Sequence, residues 1–95
     1  MCGIFGFIDN NNLIVKNKKN FQDISKQFYI KNSVRGRDSA GITIIQKDKL
    51  SSFKFPIDPK LFLNLDKTKQ FIDQIDFTNF KGFLGQCRLV TNGPK

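Results

Sequence analysis

The residues best equipped for chemistry in this chain are Cys2, near its start, and three arginines gathered in two short segments. If the initiator Met1 is removed, Cys2 carries a thiol and a free α-amine on one carbon. An α-amine titrates at about 7.7–8.0 and a free thiol at about 8.5, so the amine can take the thiol's proton near neutral pH. That is a self-contained nucleophile and base, the logic of covalent catalysis by an N-terminal residue. The sequence holds no histidine, which excludes a Cys-His pair within it and leaves the amine as the natural base. On position alone the plainer reading is favoured, a Cys2 that opens a core strand and is inert, because free cysteines are commonly buried.

The arginines shift that balance. Lys is otherwise the cation of this chain, and Arg occurs only at Arg35, Arg37 and Arg88. The first two lie in Arg35-Gly36-Arg37-Asp38-Ser39-Ala40-Gly41, the third in Gly85-Gln86-Cys87-Arg88-Leu89-Val90-Thr91-Asn92-Gly93. A guanidinium grips a carboxylate through two parallel hydrogen bonds, which an ammonium cannot reproduce. For Arg35 and Arg37 a purely structural role competes evenly, holding a loop to backbone carbonyls or to Asp38. Arg88, beside a Thr-Asn-Gly turn at a strand end, reads as functional.

These residues need elements to position them. Cys2–Asp9 predicts a strand that is apolar on both faces, hence central and buried. Asn10–Asn12 reads as a turn and Leu13–Val15 as a short return strand. Phe21, Ile24 and Phe28 recur at helical spacing from about Asn20 to Asn32, with Asn20 as a candidate cap. Arg35–Gly41 reads as a loop. Ile42–Gln46 and Leu50–Pro56 form a hairpin around Lys47-Asp48-Lys49, and Asp58-Pro59 suits a helix start. Leu61, Leu65, Ile72 and Ile75 predict one helical face, interrupted near Asp66–Thr68. Phe80–Val90 is the last strand; in it Gln86 and Arg88 face one side, Cys87 and Leu89 the other. Cys87 is thus most simply a core thiol, and a Cys2–Cys87 disulfide, which would block the nucleophile, stays open.

Composition bounds the function classes. Ninety-five residues with eleven Phe make one small domain or part of a larger one, burying roughly 60–70% of the unfolded surface. Two cysteines and no secretory signal point to a reducing, cytoplasmic setting, and no stretch approaches a transmembrane length. The net charge of +8 admits nucleic acid as a partner. The lysines, however, are spread along the chain, and Phe53-Lys54-Phe55 places Lys54 opposite both Phe, which favours a core hairpin over a stacking platform.

Cys2-Gly3-Ile4-Phe5-Gly6, Arg35–Gly41 and Gly85–Gly93, in this order and at this spacing, together resemble the class II glutamine amidotransferase domain of the N-terminal nucleophile hydrolases. The resemblance implies an α+β fold of four layers, α-β-β-α, with residues 1–95 as its N-terminal part. It implies hydrolysis of the glutamine side-chain amide, releasing ammonia for an acceptor handled by a separate synthase domain, without cofactor or metal. Cys2 matches the nucleophile that forms a glutamyl thioester, Arg88 the residue that binds the glutamine α-carboxylate, and Thr91 and Asn92 neighbouring substrate-binding positions. Arg35 matches an Arg that supports the nucleophile loop, while Arg37 falls on a variable position and receives no role.

The chain departs from that pattern at Gln86 and Asn92, where histidines are common. The family's oxyanion-hole Asn-Gly and the Asp that holds the substrate amine lie further downstream; Asn92-Gly93 is not that pair. The expectation is therefore that this chain alone has little activity, and that downstream sequence or a partner chain completes it. Two alternatives accompany the reading: a catalytically inert interaction or regulatory module that keeps the front half of the fold, and a small basic nucleic-acid-binding protein.

Overall fold

The computed structural model describes residues 2–89, with Cys2 and Arg35 at the level of their backbone. The elements run β1 (Cys2–Ile8), α1 (Lys18–Asn32), a 3-10 turn (Ser33–Arg35), β2 (Ser39–Gln46), β3 (Leu50–Phe55), α2 (Pro59–Phe62), α3 (Asp66–Asp73), a second 3-10 turn (Phe77–Asn79) and β4 (Phe80–Arg88). The four strands make one antiparallel sheet in the order β1-β4-β2-β3.

Alternation assigns the two faces of the sheet. Phe5, Phe7, Ile42, Ile44, Phe53, Phe83 and Cys87 point to the face covered by helices, where the core forms. Phe83 is its hub, with ring centroids 5.4–6.1 Å from Phe5, Phe7, Phe21, Phe28 and Tyr29. Such tilted and edge-to-face pairs add to burial through quadrupole attraction. On the other face Ile4 is 77% exposed, Ile8 59% and Leu84 46%. The sheet therefore has one dry side and one open side on which apolar and polar residues mix.

The sequence reading of β1 as a central, buried strand is corrected here. β1 is an edge strand, because β4 inserts between it and β2. Its two apolar faces have different fates: Phe5 and Phe7 enter the core, and Ile4 and Ile8 lie on the open face.

Leu13–Val15 is not a strand. The buried carboxylate of Asp9 accepts the N–H groups of Leu13 (2.9 Å), Ile14 (3.0 Å) and Val15 (2.7 Å), so the donors a ladder would use are already satisfied. Burial acts to raise the Asp9 pKa, but those three donors, with Lys16 nearby, outweigh it and hold the carboxyl below its ordinary value.

The helices follow their local signals with shifted edges. α1 starts at Lys18, earlier than its apolar spacing implies, because Asn17 caps it by accepting the Asn20 N–H at 2.9 Å. Asp58 caps α2 by accepting the Lys60 N–H, and Pro59 sits at the first helical position. Leu61 does not share the buried face; it is 54% exposed, and Phe62 fills the core in its place. The hairpin reading holds: Phe53 stacks on Phe62 and Phe71 at 5.9 and 5.8 Å, and Lys54 points away, exposed. Among the described residues no helix is long and apolar enough to cross a membrane.

Candidate functional site

The three segments singled out in the sequence meet at one end of the sheet. In register, Cys2 of β1 stands opposite Arg88 of β4, and Arg88 stands opposite Ser39 of β2. The next row along the open face is Ile4, Gln86, Gly41 and Lys54. Arg88 closes β4 with its side chain exposed. Cys2 opens β1, and Arg35 ends the 3-10 turn that leads toward β2. Thr91 and Asn92 lie outside the described residues.

Two backbone contacts lock the Arg35–Gly41 segment to Arg88. The Asp38 N–H donates to the Arg88 carbonyl at 2.9 Å. Gly36 lies so close that an added Cβ would stand 2.5 Å from the Arg88 carbonyl carbon and 2.7 Å from its Cα and N. Glycine is needed there for space; its φ of −176° is extended backbone open to any residue. The segment expected to be a loop is thus partly ordered: its front half is pinned on β4, and β2 begins at Ser39.

Gly41 has a second purpose. The Gln86 side chain lies over it, where any Cβ would collide. From the core side the buried Tyr29 hydroxyl donates to the Gly41 carbonyl at 2.6 Å. Burial, and then the neighbouring Cys87, push the Tyr29 pKa well above its ordinary value, so the hydroxyl remains a donor across the accessible pH range. The floor of the site is thereby tied to the core.

Over this floor lies an open concavity of about 420 Å³ lined by Ser39, Lys54, Phe55, Pro56, Gln86 and Arg88, within the roughly 300–1,000 Å³ range of small-molecule sites. Sequence reasoning found Arg88 and Gln86 but missed Ser39 and Lys54 as lining residues. Their signal was present only as strand alternation, and the strand order that brings them beside Arg88 is not written locally.

Cys87 takes the opposite role from Cys2. It is free, buried on the helix-covered face, and its pKa is pushed up to about 11, by burial first and by Asp58 second. A thiol in that state is neutral and unreactive near pH 7. Among the described residues no group of three or more His, Cys, Asp or Glu side chains could hold a metal ion.

The fold and site define a small α+β domain with an antiparallel sheet, open on one face, that carries a cationic concavity at one end. Comparison with protein-family models, with curated proteins and with solved structures finds no match for this chain.

Proposed function

We propose that this chain supplies the nucleophile strand and the carboxylate-binding strand of a glutamine-hydrolysing site of the class II amidotransferase type. The observation that carries the reading is the register: residues distant in sequence, Cys2, Arg35–Ser39 and Arg88, converge on one sheet end. In this mechanism the Cys2 amine takes the thiol proton. The thiolate attacks the glutamine amide carbon, ammonia leaves with a proton returned by the ammonium, and water then cleaves the thioester to glutamate. Arg88 holds the α-carboxylate through its fork. The open face, with Ile4, Ile8 and Leu84 exposed, supports the four-layer α-β-β-α reading, in which a second sheet packs on that face and brings the oxyanion and amine-binding groups. Glutamine and a synthase domain are the partners this assigns.

The test is labelling with a glutamine-like electrophile in a complete domain, in which downstream sequence or a partner chain supplies the remaining site residues. One adduct at Cys2 is expected, with protection by excess glutamine. Arg88→Lys keeps the charge but loses the fork, and should slow labelling by roughly 10–150-fold, the equivalent of one charge-assisted contact. An adduct at Cys87, or at neither thiol, removes Cys2 from the nucleophile role.

A further inference from the structure

One lining residue has no part in that mechanism. Lys54 stands opposite Gly41 on the far side of the concavity from β1, so β4, which carries Arg88 and Gln86, and β2 separate Cys2 from Lys54. A glutamine anchored at Arg88 and reaching toward Cys2 extends away from Lys54.

Yet Lys54 and Arg88 line the same 420 Å³ space. Both are exposed, and neither has an ion-pair partner among the described residues. Their Cα atoms lie two strand spacings and two residues apart, or roughly 12 Å, a gap that two long side chains close to the span of a short diacid.

Between them the wall offers the Ser39 hydroxyl and the Gln86 amide as further polar groups, and the apolar Pro56 as packing surface. Asp58, just beyond Pro56 in the chain, is turned to its own helix, accepting the Lys60 N–H at 2.9 Å. The concavity is therefore electropositive at two points, with Pro56 as apolar surface beside them. That pattern fits a linear molecule with an anion at each end.

We propose that the concavity between Lys54 and Arg88 binds a small dicarboxylate, one carboxylate on the Arg88 fork and the other on the Lys54 ammonium. Because the ligand uses Arg88, it excludes the glutamine α-carboxylate and acts as a competing, regulatory anion. The proposal draws on the glutamine reading only for that last consequence; the binding itself stands on the concavity and its two cations.

The experiment titrates the full chain at low ionic strength, followed by backbone amide shifts, with glutarate and with its monoamide glutaramate. The two probes have the same length and differ by one charge. Glutarate should bind roughly three- to fivefold more tightly, the yield of one exposed ion pair, with the preference fading as salt is added. Shifts should centre on residues 39, 54 and 86–88.

Lys54→Met should remove the preference and leave glutaramate binding unchanged, whereas Lys49→Met, on the hairpin turn, should change neither. Circular dichroism confirms that both variants fold. Equal binding of the two probes, no saturable binding of either, or a preference that survives Lys54→Met would overturn the proposal. Neither probe needs the thiol, so loss of the glutarate preference with Cys2 labelling intact refutes this inference alone. Absent Cys2 labelling with the preference intact refutes the glutamine reading alone.

Discussion

Gly36→Ala puts a methyl group into the backbone of Arg88. The new Cβ would stand 2.5–2.7 Å from three main-chain atoms of that residue, and main chain cannot rotate aside as a side chain can. Relief requires the 3-10 turn and the end of β4 to separate. That movement stretches the Asp38–Arg88 hydrogen bond of 2.9 Å and disturbs the rows Ser39–Arg88 and Cys2–Arg88. Overpacking of this kind costs about 1–3 kcal/mol, and the weakened hydrogen bond adds about 0.5–1.5 kcal/mol, so a loss of about 2–4 kcal/mol is expected. Domains of this size carry about 5–15 kcal/mol in all, and each kcal/mol moves the midpoint by about 4–8 °C, which makes the shift roughly 8–30 °C. Urea denaturation with a thermal melt on the same preparation measures it. Arg37→Ala, next in the chain and exposed, is the control and should stay within about 0.5 kcal/mol. A Gly36→Ala variant as stable as that control would refute the close approach of the loop to β4.

Tyr29→Phe keeps a ring packed among Phe5, Phe62 and Phe83 and removes only the hydroxyl bonded to Gly41; a loss of about 1–2 kcal/mol in urea unfolding is expected, and no loss would show that the bond to the sheet is idle. Asp9→Asn bears on acid stability. The folded Asp9 pKa lies below its ordinary value, so the stability it contributes is present above that ordinary value and lost as pH falls through the folded one. The variant should be less stable at neutral pH, and its stability should fall less between neutral pH and pH about 3 than that of the parent; an unchanged acid limb would contradict the cap. Phe83→Ala should cost about 3–5 kcal/mol in urea unfolding, as for a buried aromatic cut to a methyl; a loss within about 0.5 kcal/mol would contradict its place at the centre of the core.

What the sequence made legible was whatever local pattern specifies. Helical spacing of Phe21, Ile24 and Phe28 located α1, and period-two alternation separated Gln86 and Arg88 from Cys87. The position of β1 was illegible because strand order depends on which strands pair, and β4, the last in sequence, is the one that slips between β1 and β2. A strand with two apolar faces imitates a central one when its second face is an open, partly apolar surface. The Leu13–Val15 error has a smaller cause, a single carboxylate that outcompetes the ladder for three backbone donors. Lys54 was correctly separated from the Phe face, but its neighbourhood with Arg88 needed the register of two strand pairings through β2.

The central claim is that Cys2 is an N-terminal nucleophile with its own amine as base, and thiol reactivity measured against pH on the intact chain tests it most directly. Intact-mass analysis should find Met1 removed. Iodoacetamide labelling followed by peptide mapping should find Cys2 reacting near neutral pH, with a profile that tracks the titration of an α-amine at about 7.7–8.0. Cys87, held up to about 11, should lag far behind until the pH is strongly alkaline. Retention of Met1 in most molecules, or faster labelling at Cys87 than at Cys2, would contradict the account.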